Sequence, residues 1–268
     1  MDTNVDLALR HMDKFTPRNW RELWIAHLTD IARQRGNSDG VDRIRDFESL
    51  GHMLEVETCK DLDLCNAKII VIDGASGTGK NHLGNHLHTL GLRPILRYKD
   101  RERRSDEIHG VDAYFINADE FDEMETMGEL IGIRGSFGER RAYSRAKIME
   151  ALHSGERCYV AEGLSFLPLA SQDPELREVM TSSVFLLPPS LEELIRRLVR
   201  RTCGDRVFDS ADELVAFLIK KKIPERLEYG FKDLTNTSSR DDDRRRFLAD
   251  CFFVYDSPAR LTESLGIL

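Results

Sequence analysis

The stretch DGASGTGKNH, Asp73 to His82, decides how the rest of this sequence is read. Ahead of it lies KIIVID (68–73), a continuous run of the kind found in strands buried on both faces. Behind it, KNHLGNHLHTLG (80–91) reads as a helix ending near Gly91. A strand, a Gly-rich turn and a helix N-terminus together point backbone N–H groups at a phosphate. Gly74, Gly77 and Gly79 let the backbone curl, Ser76 and Thr78 complete the loop, and Lys80 is placed to bridge outer phosphates. The usual pattern then has a Ser or Thr whose hydroxyl meets magnesium. Here Asn81 stands instead, offering an amide carbonyl oxygen, also a hard donor.

Working outward, residues 1–66 read as a helical N-terminal extension and 67–268 as the main domain. TPRNWRELWIAHLTDIARQRG (16–36) carries its own signals: Thr16 as cap, Pro17 in the first turn, Gly36 at the exit. Trp20, Leu23, Trp24, Leu28 and Ile31 recur at helical spacing and make one apolar face. That face packs on the main domain, joins two copies as a homodimer, or caps a substrate. GNSDG (36–40) is expected as a loop.

From residue 68 short apolar runs alternate with longer amphipathic ones. AYFI (113–116), RCYVAE (157–162), SVFLL (183–187) and CFFVY (251–255) read as strands. Helices are expected over 144–153, 190–201 and 211–229, and SRDDDRRR (239–246) as a solvated helix start. The alternation implies βαβ units and a mostly parallel α/β sheet flanked by helices.

Composition removes several classes. With 268 residues, 41% of them hydrophobic, the chain can bury a core. A net charge of −8 argues against general nucleic-acid binding. Five scattered cysteines without a CxxC pair suggest neither a zinc ribbon nor a disulfide framework, and fit a reducing cytoplasm. The N-terminus is acidic and unlike a signal peptide. No apolar run approaches the ~18 residues of a membrane span.

With the loop placed, RYKDRERRSDEIHGVDAYFINADEFDEM (97–124) resembles the acceptor region of guanylate kinases. Arg101, Arg104 and Glu107 fall on that family's two arginines and glutamate, and Gly110, Asp112 and Phe115 also match. PPSLEELIRRLVRR (188–201) resembles the family's run into an arginine-bearing lid. The resemblance covers about 68–256 and implies a P-loop NTPase fold of the guanylate kinase type. It also implies ATP and Mg²⁺ as cofactors, an acceptor region over about 97–143 and a lid over about 201–230. Two arginines three apart suit bidentate grip of a phosphate, so Arg101 and Arg104 are expected to hold the acceptor's phosphate and Glu107 a polar group of it.

The departures bear on the acceptor. The family's acceptor-contacting Tyr aligns with Ala113, with Tyr114 one place late. Its Ser before the arginine pair aligns with Arg97, and its second Tyr aligns near Arg141. The guanine-reading set is largely absent, so GMP is not the expected acceptor. Ribose 1,5-bisphosphate kinases are a second resemblance: they carry Gly-Lys-Asp in the loop, and their Asn-Gly-Ser-x-x-x-Leu-Pro pattern is similar to EGLSFLP (162–168).

For catalysis, Lys80, Arg201 and Glu162 are the candidates. Arg201 aligns with a family lid arginine. Arg197, Arg200, Arg206, Lys220, Lys221, Lys222 and Arg226 read mostly as solvated charges. Glu162, at the end of a strand, is expected to reach magnesium, with Asn81, or to accept the acceptor's proton. His82 and His86 read as ordinary helix residues. The resulting expectation is a cytoplasmic kinase acting on a small phosphorylated acceptor, with no nucleic-acid or membrane partner. The alternatives are a sugar-phosphate kinase, an NTP-driven switch and a non-catalytic interaction module.

Overall fold

The computed structural model describes residues 3–35, 41, 44–60, 62, 64–104, 107–136, 138–161, 166, 173–179, 181–228 and 249–265. In chain order the helices are α1 (Thr3–Arg10), α2 (Trp20–Gln34), α3 (Phe47–Cys59), α4 (Lys80–Thr89), α5 (Ala118–Thr126), α6 (Arg145–His153), α7 (Pro174–Arg177), α8 (Leu191–Cys203), α9 (Ala211–Lys220) and α10 (Pro258–Ser264). The strands are β1 (Ile69–Gly74), β2 (Arg93–Pro94), β3 (Tyr98–Lys99), β4 (Tyr114–Phe115), β5 (Leu130–Ser136), β6 (Glu139–Ser144), β7 (Cys158–Ala161), β8 (Thr181–Leu187) and β9 (Cys251–Val254). The chain forms two compact units, one of residues 1–62, 73–80 and 184–267, the other chiefly of 63–72 and 81–183.

In the first unit β8 and β9 pair in parallel, from Val184 opposite Cys251 to Leu187 opposite Val254. Every residue of β9 is buried, as its apolar sequence demands. Helix α3 lies on this strand. Two of its side chains, one helical turn apart, supply acceptors: Thr58 Oγ1 takes the Phe252 N–H at 2.8 Å and a Glu55 carboxylate oxygen takes the Val254 N–H at 2.8 Å. Glu55 also pairs with Arg260, whose Nη1 donates to the Val254 carbonyl at 2.6 Å. The backbone of β9 is thus satisfied by a helix where another strand would otherwise have to pair.

The N-terminal helices belong to the same core. Trp24, Leu28 and Ile31 of α2 are buried, and Trp24 meets Phe47 of α3 edge-on at 5.7 Å. The apolar face legible in the sequence is therefore covered largely within the chain, with Leu23 left at its exposed rim. Helix α1 packs on α8 and α9, and Lys14 reaches Asp212 at 2.9 Å.

Three local expectations are corrected. Helix α2 begins at Trp20, not at Pro17. Asn19, in a left-handed conformation (φ 61°) that Asn tolerates, turns the chain into it, and no side chain caps it. The expected helix over 211–229 breaks after Lys220, where Lys222 has φ 57° and Ile223 precedes Pro224. Helix resumes over 223–228. The cysteines are not all unpaired: Cys59, at the end of α3, is bonded to Cys251, at the start of β9, across 192 residues of sequence. No spacing rule reveals such a pair, because only the packing of α3 on β9 brings the two together. GNSDG and SRDDDRRR lie outside the described residues.

In the second unit β7 runs between β2 and β1, all parallel, with Ile69 to Ile72 opposite Cys158 to Ala161. Ile69, Val71, Cys158 and Val160 join Ile148 and Ala151 of α6 in one core. A smaller sheet in the order β4-β3-β6-β5 has a parallel β3–β4 pair and antiparallel pairs elsewhere. Helix α5 begins at a capping box in which Asn117 and Glu120 each accept the other's backbone N–H. Taken together, the described strands make a mostly parallel α/β fold with flanking helices. No described helix is long and apolar enough to cross a membrane.

The covering of β9 predicts a measurable stability effect. Thr58→Val keeps the shape but leaves the buried Phe252 N–H without its acceptor, a loss of about 1–3 kcal/mol. Thermal melting should show a Tm lowered by several degrees for Thr58→Val and little change for Thr58→Ser. Equal melting of all three proteins would show that the bond contributes nothing.

Candidate active site

The phosphate loop closes β1 and opens α4. Asp73 turns back to accept the Gly74 N–H at 2.7 Å, and Thr78 donates its buried hydroxyl to the Ala75 carbonyl at 2.8 Å. Lys80, also buried, curls over the loop, with Nζ 2.6 Å from the Gly74 carbonyl and 2.9 Å from that of Ala75. Gly79 has φ 105°, and a Cβ there would collide with the ring of Tyr255, 2.7 Å from its Cδ1. Tyr255 is 1% exposed, and burial pushes its hydroxyl up to about 12, so the ring presents a neutral wall beneath the loop.

Two arginines of α8 reach this loop. Arg201 Nη2 lies 2.8 Å from Ser76 Oγ, which brings together two residues that the sequence assigned to the same site. Arg197, which the sequence grouped with solvated charges, is tied in more closely. It donates to the Thr78 carbonyl at 3.3 Å, to the Tyr255 carbonyl at 3.5 Å and to Glu193 at 2.9 Å. The i,i+4 spacing of Glu193 and Arg197 was the only trace of this in the sequence. Asn81 is the second residue of α4 and is exposed, and Glu162 lies outside the described residues. Among the described residues no cluster of three His, Cys, Asp or Glu side chains could hold a metal.

The second unit carries a cavity of about 470 Å³ lined by Asp100, Arg101, Glu102, Arg103, His109 and Phe115, with Ile116 and Asn117 at its side. Arg101 and Glu107 meet there in a two-pronged pair at 2.7 and 2.6 Å. The Arg101 Nε faces Glu139 at 2.5 Å, and its Nη1 also donates to the Glu102 carbonyl at 2.8 Å. These contacts engage most of the five N–H donors of a guanidinium. Arg101 also lies 5.1 Å from the centre of the Phe115 ring. Arg104 approaches Glu107 at 3.8 Å, but its side chain is 54% exposed. Burial raises the Glu107 carboxyl, but the Arg101 hydrogen bonds, the Arg104 N–H and the charges of Arg101 and Lys99 outweigh it and bring it down to about 2.

The departures noted in the sequence take definite places. Ala113 is fully buried, and Tyr114 stacks on Tyr98 with centroids 4.8 Å apart. Arg97 is buried with its guanidinium 6.0 Å from the Tyr143 ring, and Arg141 lies 3.7 Å from Glu139. Sequence reasoning missed Glu139, whose partner lies 38 residues away, and the Arg140–Asp100 pair beside the cavity (2.5 Å).

A strand–loop–helix phosphate cradle crossed by an arginine-bearing helix defines the class of P-loop proteins. Comparison with known proteins narrows this. The family model for guanylate kinase matches residues 66–216, more than half of the chain, and the chain belongs to that family. A guanylate kinase of Streptomyces kasugaensis is 33% identical over 138 residues, covering 50% of this chain and 64% of the relative. One of Chlamydia felis is 30% identical over 173 residues, covering 63% of this chain and 81% of the relative. The match to the crystal structure of guanylate kinase from Anaplasma phagocytophilum covers 67% of this chain and 90% of that one, at a TM-score of 0.41 and 20% identity. This chain thus spans somewhat under two thirds of the Streptomyces relative.

The depressed Glu107 carboxyl sets a pH dependence. Its pairing stabilises the fold fully above the ordinary carboxylate pKa of 4.5 and is lost as pH falls from there toward 2. Urea unfolding at a series of pH values should show a steeper loss below pH ~4.5 in the wild type than in Glu107→Gln. Parallel curves for the two proteins would show that Glu107 is not held in this way.

Proposed function

We propose that this chain transfers the γ-phosphoryl group of ATP to a small acceptor that already bears a phosphate, and that the acceptor is not GMP. The observation that carries the transfer is the loop closed over Lys80 with Arg201 at Ser76. Phosphoryl transfer needs charge placed around the moving group more than acid–base chemistry, and backbone N–H groups, an ammonium and a guanidinium supply it. Magnesium, when bound with ATP, neutralises phosphate charge, and the exposed Asn81 offers it a hard oxygen.

The acceptor reading rests on the cavity at Arg101 and on Arg104 beside Glu107. Arg101 is largely engaged by Glu107, Glu139 and the Glu102 carbonyl, so it sets the shape of the site. Arg104, half-exposed, is the better placed to take the acceptor's phosphate. Both oxygens of Glu107 are occupied by Arg101 and the Arg104 N–H, which suits a buttress more than a direct ligand. Ala113 offers no hydroxyl where the resemblance places a Tyr, and Arg97 and Arg141 are cations where it places Ser and Tyr. A site that lacks those neutral donors and keeps the half-exposed Arg104 favours a phosphorylated acceptor other than GMP, a sugar phosphate included. A non-catalytic module is disfavoured by the retained Lys80 and Arg201. A cytoplasmic setting, where ATP is abundant, suits this reaction.

An acceptor panel tests the proposal. ADP formation from Mg–ATP should be fastest with a phosphorylated acceptor other than GMP. Arg104→Ala should raise that acceptor's KM about tenfold with the KM for ATP unchanged. A kcat/KM for GMP above that of every other nucleoside monophosphate and sugar phosphate would contradict the acceptor reading. An acceptor KM unmoved by Arg104→Ala and Arg101→Ala alike would contradict the phosphate clamp.

A further inference from the structure

The first unit contains a chain of contacts that ends at the phosphate loop and begins at a pair of cysteines. Cys59 closes α3 and is half-buried, and Cys251 opens β9 and is fully buried. Four residues beyond Cys251, about 13 Å along an extended strand, stands Tyr255. Its N–H continues the ladder of β9 by donating to the Leu187 carbonyl at 2.8 Å. Its ring is the wall against which Gly79 is packed, and its carbonyl is bonded to Arg197, which also holds the Thr78 carbonyl. The position of β9 is therefore transmitted to both sides of the loop that surrounds Lys80.

We propose that Cys59 and Cys251 form a thiol–disulfide modification site whose oxidation tightens nucleotide binding at the phosphate loop. The co-reactant is a low-molecular-weight disulfide. The more accessible Cys59 attacks it as a thiolate and forms a mixed disulfide, expelling one small thiol. Cys251 then attacks the Cys59 sulfur and expels the second. Two protein thiols become one S–S bond, one small disulfide becomes two small thiols, and two electrons pass from protein to reagent. Reduction runs the same exchange backward with two equivalents of small thiol.

The direction of the effect follows from restraint. In the oxidised chain β9 is fastened to α3 by a covalent bond in addition to the Thr58 and Glu55 hydrogen bonds. In the reduced chain only the hydrogen bonds and packing remain, so β9 and Tyr255 gain freedom. The loop must then be ordered by the nucleotide at the moment of binding, which weakens affinity. The extension before residue 67 thereby acquires a role: it carries the half of the switch that solvent can reach. Cys203 and Cys158 are buried, and Cys65 is exposed.

The coupling rests on the phosphate loop binding nucleotide, so two readouts are taken on the full chain. Wild type, Cys59→Ala and Cys251→Ala are equilibrated in oxidised and in reduced glutathione. Linked peptides are mapped by mass spectrometry, and Mg–ATP binding is titrated on the same samples. The proposal expects a 59–251 linked peptide in the oxidised wild type and a Kd for Mg–ATP on the order of fivefold lower than in the reduced protein. Each variant should match the reduced wild type under both conditions. Absence of the linked peptide in oxidised glutathione overturns the site. Equal Kd for linked and reduced chains overturns the coupling while leaving the kinase reading intact. If neither form binds Mg–ATP, the coupling and the kinase reading both fail, which the linked peptide alone distinguishes from failure of the thiol chemistry.

Discussion

The phosphate loop depends on one constraint: the backbone from Gly74 to Gly79 must curl tightly enough for its carbonyls to meet the ammonium of Lys80. Nζ sits 2.6 and 2.9 Å from two of those carbonyls, and such a turn admits no side chain at Gly79, where Tyr255 already fills the space. A buried ammonium is tolerable only with such partners. The strand before the loop, the helix after it, the arginines of α8 and the end of β9 all serve this geometry.

That dependence explains why the N-terminal segment is not an appendage. The ring of Tyr255 can act as a wall only while β9 stays in place. Strand β9 has β8 on one side and helix α3 on the other, with Thr58 and Glu55 taking N–H groups that would otherwise be left unsatisfied. Trp24, Leu28 and Ile31 of α2 bury their face in the same core. The family match covers residues 66–216, so the parts that brace the loop from outside, α3 and β9, lie beyond it on both sides.

The loop, the major strands and the helix starts at Ser144 and Ser190 were legible because each is a local signal: a β-branched run, a Gly spacing, a cap followed by an apolar period. What was not legible is long-range. Arg197 differs from its neighbours Arg196 and Arg200 only in which way it points, and Glu139 in the partner it meets 38 residues away. The β5–β6 hairpin was missed because LIGIRGS and ERRAYS alternate weakly and carry charge, so no apolar run announces them. Arg101 was expected as a free clamp; its surroundings are carboxylates, and only folding could show that Glu107 and Glu139 already hold it. The Cys59–Cys251 bond is of the same kind.

The central claim is that the loop around Lys80 is a working phosphate site in spite of Asn81. Titration calorimetry of Mg–ATP into the full chain tests it most directly. Saturable 1:1 binding is expected for the wild type, retained in Asn81→Thr and lost in Lys80→Ala while that variant still unfolds in one cooperative transition, at a Tm lowered by the two carbonyl bonds it gives up. No binding by the wild type, or equal binding by Lys80→Ala, would contradict it.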